Sequence, residues 1–197
     1  MNALVTGATG LVGTRLMARL PGAVVLSRDV ERASKKLAGA TVHRWEPSGE
    51  VAPALAFDDV DVVFHLAGES VSQGRWSADR KRRIRDSRVL GTRNLVSGMA
   101  ASKRRPKVLV SASAVGFYGN RGDEILDEGS SQGQGFLAEV CAEWENEAMK
   151  AEALDIRVVC VRIGIVLAPD GGALGRMLGP FKMGIGGRLG SGKQWMP

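Results

Sequence analysis

Short continuous runs of apolar, often β-branched residues alternate along the chain with longer amphipathic segments. Continuous rather than alternating hydrophobicity is typical of strands that are covered on both faces. The pattern predicts strands at Ala3–Thr6, Ala23–Ser27, Val60–Leu66, Val108–Ser111 and Ile156–Val161, and a weaker one at Thr41–Arg44. It predicts helices at about Leu11–Leu20, Val30–Leu37, Asp79–Ala101 and Gly135–Ala153. The alternation indicates an α/β fold, a doubly wound parallel sheet with right-handed crossovers and helices on both faces.

The last part of the chain has a different character. From Gly164 to Pro197, glycines are spaced among apolar residues, which predicts a segment that packs on something and uses unusual backbone angles or approaches a ligand closely. The chain stops at Gln-Trp-Met-Pro without a capping element, as an interrupted protein would. We therefore expect one domain over residues 1–163, and over 164–197 the Gly-rich start of a truncated substrate-binding region.

Length and composition narrow the cellular setting. A chain of 197 residues is long enough for one domain with a sizeable core. No apolar run reaches the ~18 residues of a membrane span, and no leader with a cleavage site is recognisable, so we expect a cytoplasmic protein without a membrane partner. Cys141 and Cys160 match no metal spacing and are expected to be free thiols, and two histidines are too few for a zinc site.

The net charge of +6 is concentrated in one segment. Between Asp79 and Lys107 eleven Lys and Arg oppose two Asp, so this segment carries +9 and the rest of the chain −3. Such a run is usually a solvated helix face, and an anionic ligand or surface is the alternative. Nucleic acid is not expected, because no aromatic platform interleaves the basic residues.

The stretch Val5-Thr-Gly-Ala-Thr-Gly-Leu-Val-Gly13 directly follows the first strand and opens the first helix. Gly7 permits a tight turn, Gly10 lets the backbone approach a pyrophosphate, and Gly13 allows close packing of helix on strand. A glycine-rich turn without a ligand is the alternative, but the strand–turn–helix context favours dinucleotide binding.

The end of the second strand indicates which dinucleotide is bound. An NAD site usually carries Asp or Glu about 20 residues beyond the first glycine, but here Ser27 and Arg28 stand in that place. A guanidinium can pair with the 2′-phosphate of NADP(H), so NADP(H) is favoured. The alternative is that Arg28 only belongs to a turn with Asp29.

Arg88 is unusual within the basic run because it shares a helix face with Ile84, Gly91 and Leu95. Arg82, Arg85 and Arg93 point elsewhere. A charge on the inward face requires a partner, either a cofactor phosphate or a local carboxylate.

Several motifs together resemble those of extended short-chain dehydrogenase/reductases, and are most similar to the atypical branch called epimerase family protein or nucleoside-diphosphate-sugar epimerase. They are Thr6-Gly-Ala-Thr-Gly-Leu-Val-Gly13, His65-Leu-Ala-Gly-Glu-Ser70, Ser87-Arg-Val-Leu-Gly-Thr-Arg-Asn-Leu95, Ser111-Ala-Ser-Ala-Val-Gly-Phe-Tyr-Gly119, and the tail from Gly171-Gly-Ala-Leu to Gly190-Ser-Gly-Lys-Gln-Trp195. Some members of the branch are described as similar to cell-division inhibitors. Members also carry a further C-terminal portion after this point.

The resemblance implies an NADP(H)-binding Rossmann domain. Its implied cofactor contacts are Gly7, Thr9, Gly10, Leu11, Val12, Gly13, Ser27, Arg28, Leu66, Ala67, Glu69 and Arg88. Ser113 matches the serine of the Ser-Tyr-Lys set of the superfamily. The tyrosine and lysine of that set do not exist here, because the only tyrosine, Tyr118, is followed four residues later by Gly122, and the helix in the expected place carries Phe136 and Val140.

Three functions are compatible with these residues. The first is an NADP(H)-dependent oxidoreductase acting on a small or nucleotide-linked carbonyl or hydroxyl compound, with Ser113 and Tyr118 as catalytic candidates and Glu69 as a further polar group. The second is a regulatory protein, related to cell division, that binds NADP(H) without chemistry. The third is a nucleotide-sugar epimerase. The substrate is open, and a homodimer is compatible with the sequence.

Overall fold

The computed structural model describes residues 1–72, 74–169, 171–188 and 190–196. Within these ranges six parallel strands form one sheet in the order β3-β2-β1-β4-β5-β6. The strands are β1 (Ala3–Thr6), β2 (Val24–Ser27), β3 (Thr41–Arg44), β4 (Val62–His65), β5 (Val108–Ala114) and β6 (Arg157–Ile163). The predicted doubly wound parallel sheet is confirmed, including the weak strand at residues 41–44.

Helices fill the connections between the strands. The helices are α1 (Leu11–Met17), α2 (Val30–Lys36), α3 (Ala78–Ala101), α4 (Phe136–Met149) and α5 (Gly172–Lys182), and short 3-10 turns lie at Ala54–Phe57, Val115–Tyr118 and Lys150–Leu154. Two predicted helices are too long, since the first stops at Met17 and the fourth passes into a 3-10 turn at Lys150. The predictions for the second and third helices are confirmed to within one residue.

The main core lies under α3 and α4. Leu4, Val63 and Leu109 on three adjacent strands are fully buried, and Leu95 and Met99 of α3 pack onto the same cluster. These residues come from the continuous apolar runs and from one face of α3, so the hydrophobic pattern accounts for this layer. A second cluster, between the sheet and α1, includes Val5 and Val25.

The predicted Gly-rich tail contains a helix that the sequence did not predict. The two-residue strand β7 (Leu167–Ala168) bridges to Gly171 and Gly172 in an antiparallel manner, and α5 follows with Pro180 inside it. Leu11 of α1 lies against both glycines, so this part of the tail packs on α1.

No helix among the described residues is both long enough and apolar enough to span a lipid bilayer.

Candidate functional site: a cleft at the carboxyl edge of the sheet

A cleft of about 240 Å³ opens where the carboxyl ends of β1, β2 and β4 meet. This edge is where open parallel sheets bind ligands, at the point where the strand order reverses on either side of β1. The lining comes from four segments, which are residues 7–10, 25–28, 45–48 and 66–69, with Ser87 of α3. The cleft thus brings together Gly7, Thr9, Gly10, Ser27, Arg28, Leu66, Ala67 and Glu69 from the predicted set.

The glycine turn is built by close backbone contacts. Gly7 has a positive φ of 68°, and a Cβ there would lie 2.6 Å from the carbonyl oxygen of Leu66. A Cβ on Gly13 would lie 2.3 Å from the carbonyl oxygen of Gly7, so α1 can begin this near the strand only with glycine at both positions. The first turn of α1 carries no acidic residue and no side-chain cap. An uncapped, carboxylate-free helix start against a glycine cradle fits a pyrophosphate.

Lys36 adds a positive charge beside this turn that the sequence analysis did not identify. Its ammonium group reaches back from the end of α2 and donates a hydrogen bond to the carbonyl of Thr9 at 2.8 Å. A basic residue in the last turn of a helix is common, so the sequence alone offers no signal that Lys36 lies near the loop.

The residues after β2 leave Arg28 available to a ligand. The Asp29 carboxylate accepts a hydrogen bond from the amide of Arg32 and so caps α2, while Ser27 Oγ bonds the backbone of Asp29. Arg28 is exposed at the rim of the cleft and forms no ion pair with Asp29 in the described part of the chain. The Asp29 carboxylate thus caps the helix and Glu31 pairs with Lys35, so the guanidinium remains at the site predicted for a 2′-phosphate.

Three side chains of α3 hold the segment after β4. The amide of Glu69 donates to Ser87 Oγ at 3.0 Å, and Arg88 donates to the carbonyl oxygen of Glu69 at 3.0 Å. Arg80 pairs with the Glu69 carboxylate and with the carbonyl of Ser70. Arg80 is only 6% exposed, so the structure departs at this position from the solvated helix face predicted for the basic run, because this guanidinium is buried against Glu69 and Ser70.

Arg88 points inward, as its helical position predicts. Its guanidinium lies 5.1 Å from the ring centroid of Trp144, beside Gly68, and also donates to the carbonyl of Ile84. Its partners within the described residues are therefore backbone carbonyls and an aromatic ring, and burial lowers the pKa of the guanidinium. The three outward arginines pair with carboxylates instead. Arg82 binds Asp79 and Arg85 binds Glu143 at the surface, whereas Arg93 binds the buried carboxylate of Glu147.

We expect Arg88→Ala to weaken the binding of NADPH to the cleft by about tenfold, because the 67–69 segment loses the donor that holds it and the cation beside Gly68 is removed. Arg82→Ala, which removes an equal charge from the solvated face of the same helix, is the matched control. Titrations that follow NADPH fluorescence at low and high salt measure both. Equal losses of affinity that vanish at high salt would mean that the basic run from Asp79 to Lys107 acts only through its diffuse charge.

His65 joins the cleft to α3 through two threonines. Thr6 Oγ1 accepts hydrogen bonds from the amides of Leu66 and Ala67 and lies 2.7 Å from His65 Nδ1, while His65 Nε2 lies 2.9 Å from Thr92 Oγ1. Because Thr6 Oγ1 already accepts twice, its hydrogen goes to Nδ1, and the neutral ring donates from Nε2. Burial, and secondarily the charge of Arg88, lower the pKa of His65 to about 4.

A second polar cluster lies one strand further, after β5. Ser113 Oγ donates to the Glu145 carboxylate at 2.6 Å, and Arg162 binds both oxygens of that carboxylate at 2.9 Å. Arg162 Nη1 also donates to the hydroxyl of Tyr118 at 3.0 Å. Both predicted catalytic residues therefore belong to one network, together with a glutamate and an arginine that the sequence analysis missed. The signal was a charged residue inside the apolar run of β6, which requires a partner.

The two positions that a Tyr-Lys pair would occupy are filled by packing. Phe136 stacks edge-on against Trp76 at 5.8 Å between ring centroids, and the ammonium of Lys81 lies 5.5 Å from the Phe136 ring. Val140 is 2% exposed. A lysine at position 140 would be a buried cation. Phe136 and Val140 therefore belong to the packing of α4, and this part of the helix offers no place for a Tyr-Lys pair.

The expectations for the cysteines are confirmed, since Cys141 and Cys160 are both free thiols. Burial raises the pKa of both, that of Cys160 to about 11, so neither is a reactive thiolate. No cluster of three potential metal ligands exists among the residues that the structure describes.

Comparisons with known proteins place this geometry in a family. The family model described as "NAD dependent epimerase/dehydratase family" matches residues 3–196. The chain is 43% identical over 194 residues to epimerase family protein Mb2239 of Mycobacterium bovis, covering 98% of this chain and 62% of the relative. It is 41% identical to the SDR39U1 homolog of Arabidopsis thaliana, which is called chloroplastic, covering 99% of this chain and 57% of that relative.

Among solved structures, human epimerase family protein SDR39U1 with NADPH has a TM-score of 0.81 and 31% identity, over all of this chain and 65% of that one. The nucleoside-diphosphate sugar epimerase of Corynebacterium glutamicum has a TM-score of 0.79 and 36% identity, over all of this chain and 40% of that one. The chain thus spans less than two thirds of the length of these relatives.

Proposed function

Because the chain belongs to the NAD-dependent epimerase/dehydratase family, whose extended short-chain dehydrogenase/reductase fold it shares, we propose that it binds NADP(H) in the cleft as an oxidoreductase. Its substrate is an unidentified small or nucleotide-linked carbonyl or hydroxyl compound. When bound, the cofactor supplies or accepts a hydride. The residues present fit the cofactor, since the glycine cradle suits its pyrophosphate and Arg28 its 2′-phosphate.

The observation that carries the preference for NADP(H) is the arrangement after β2. A carboxylate that would bind the ribose hydroxyls of NAD is missing there, and Asp29 is occupied with capping α2. The exposed guanidinium of Arg28 can form a charge-assisted hydrogen bond that only a 2′-phosphate offers. The human relative solved with NADPH supports the same choice.

We expect the parent protein to bind NADPH at least about tenfold more tightly than NADH, a difference of about 1.4 kcal/mol, and Arg28→Ala to abolish this preference. The physical reason is one charge-assisted phosphate contact, so NADH binding should change little. Arg19→Ala removes an exposed arginine beyond the far end of α1 and controls for net charge. Equal affinities for NADPH and NADH in the parent protein, or a preference that survives in Arg28→Ala, would remove the basis of the proposal.

A second candidate, a protein that binds NADP(H) without chemistry, is favoured by the apolar residues at positions 136 and 140. The same residues argue against rapid nucleotide-sugar epimerisation, since the ordinary proton-transfer pair is absent. Turnover of carbonyl compounds distinguishes the two candidates. A cytoplasmic location and a homodimer stay predictions.

A further inference from the structure

We propose, on the basis of the oxidoreductase function above, that Tyr118 presents its hydroxyl hydrogen to the carbonyl oxygen of the substrate and that Arg162, held by Glu145, positions it. The carbonyl compound is reduced to an alcohol, or formed from one in the reverse direction. This cluster replaces the missing Tyr-Lys pair with residues from β6 and from the turn after β5.

The directions of the hydrogen bonds determine which group can donate to a ligand. A guanidinium only donates, so the Tyr118 oxygen accepts from Arg162 and its own hydrogen is free to bond elsewhere. Ser113 is in the opposite state, because its hydroxyl hydrogen is directed at Glu145 and the residue is 3% exposed. Of the two predicted catalytic residues, Tyr118 is therefore the one with a hydrogen to offer.

Tyr118 also lies at the same edge of the sheet as the cleft. It ends the 3-10 turn (Val115–Tyr118) that follows directly on the carboxyl end of β5, the neighbour of β4 in the sheet. The segment after β4 lines the cofactor cleft. Tyr118 is partly exposed, and we place the substrate between it and the cleft.

Several neighbouring groups hold the Arg162 guanidinium in place. Glu145 binds it bidentately, the carbonyl oxygen of Glu128 accepts from Nη1 at 3.2 Å, and the ring centroid of Phe117 lies 3.5 Å from the guanidinium carbon. The Glu145 and Arg162 side chains are only 13% and 18% exposed. Burial by itself would raise the pKa of Glu145, but the hydrogen bonds from Arg162 and Ser113 lower it, and the net shift is downward. The carboxylate therefore stays charged and continues to bind the guanidinium.

Arg162 can stabilise the negative charge that proton transfer leaves on the Tyr118 oxygen. As the carbonyl carbon accepts a hydride, the carbonyl oxygen gains a proton, so the Tyr118 Oη–H bond breaks and an O–H bond forms on the product. The negative charge left on Oη lies 3.0 Å from Arg162 Nη1 until solvent returns a proton. A fixed cation at that distance stabilises the negative charge on the tyrosine oxygen, as the lysine does in the Tyr-Lys pair.

The single tyrosine of the chain makes the contact directly observable. In protein labelled with ¹³Cζ-tyrosine and saturated with NADP⁺, which blocks turnover, we expect one NMR signal that shifts when 4-nitrobenzaldehyde is added. Nitrobenzene, which lacks the carbonyl, should not shift it. In Arg162→Met the signal should differ without ligand, and its response to the aldehyde should be lost.

Arg85→Met is the matched control. Arg85 binds Glu143 bidentately, and Glu143 lies on α4 as Glu145 does, but this pair is at the exposed surface. This variant should respond to the aldehyde as the parent protein does. With NADPH and 4-nitrobenzaldehyde, we expect Tyr118→Phe to lower kcat by about 100-fold with a much smaller change in KM, as loss of a general acid does. Thermal unfolding of each variant identifies any that fails to fold, and Glu145→Gln is the milder substitution for that case, with a reduced aldehyde response expected.

The outcomes separate this inference from the proposed function. If NADPH does not bind, the proposed function fails and this inference fails with it. If NADPH binds but the tyrosine signal ignores the aldehyde, or Tyr118→Phe reduces it as fast as the parent protein, only this inference is overturned. A response equally weakened by Arg162→Met and Arg85→Met would also overturn it, since Arg162 would then contribute charge without position.

Discussion

Gly13→Ala is expected to lower the stability of the protein by about 2–3 kcal/mol and NADPH affinity by tenfold or more. The added Cβ would lie 2.3 Å from the carbonyl oxygen of Gly7 and 2.8 Å from the Cα of Ala8. All the colliding atoms are backbone, so the clash can be relieved only if α1 moves away from β1. That movement would displace the turn that is proposed to bind the pyrophosphate. Urea unfolding and NADPH titration measure the two effects.

Gly98→Ala is the control that separates stability from binding. A Cβ at Gly98 of α3 would lie 2.5 Å from the carbonyl oxygen of Ala52, a backbone collision of similar severity outside the cofactor cleft. Its stability should fall by a similar amount while the NADPH affinity of the folded protein is retained. If both variants lose affinity equally, the loss reflects general destabilisation and the glycine cradle has no special role in binding.

The strands could be predicted from the sequence because buried parallel strands are continuous apolar runs. β5 is longer than predicted, extending from the expected end at Ser111 to Ala114. Its last residues are small, and Ser111 and Ser113 are polar although both are buried. A hydrophobic pattern does not register serines that are buried because they find hydrogen-bond partners. For a similar reason α5 was missed, since its glycines and Pro180 mask an amphipathic helix.

The cofactor end of the site could be predicted because its determinants are local. Gly7, Gly10 and Gly13 are close in sequence, and Arg28 follows the second strand at the expected distance. A phosphate site of the proposed kind needs only a strand, a turn and a helix start, which leave a signature in one short stretch.

The polar cluster after β5 could not be predicted because it depends on strand register. Ser113 and Arg162 are opposite each other in the β5–β6 pair, which places both beside Glu145 of α4. A shift of one residue would turn Arg162 to the other face of the sheet. The sequence indicated Ser113 through a resemblance and Tyr118 through its position soon after the same strand, whereas the arginine that links Tyr118 to Glu145 emerges only from the three-dimensional arrangement.

The stability of the protein is expected to fall by about 2 kcal/mol between pH 7.5 and pH 5 because of His65 alone. The folded protein lowers the pKa of this ring to about 4, through burial first and the charge of Arg88 second, whereas an unfolded chain has the ordinary value of 6.5. The unfolded state therefore binds the proton first as the pH falls below 6.5. The stabilisation is complete above that pH and is lost progressively down to about 4, and pH 5 lies roughly 1.5 units into that window at about 1.4 kcal/mol per unit.

The geometry explains why the ring resists protonation. A charged imidazole would have to donate from Nδ1 toward Thr6 Oγ1, which already accepts hydrogen bonds from the amides of Leu66 and Ala67 and would have to turn its own hydrogen away. Urea unfolding of the parent protein at several pH values above 5 measures the slope while most carboxylates remain ionised. We expect His65→Gln to be less stable at pH 7.5 but to lose most of this slope, whereas His43→Gln removes the other histidine as the matched control. A parent protein without the slope, or one whose slope both variants reduce equally, would show that the buried ring between Thr6 and Thr92 does not couple folding to pH.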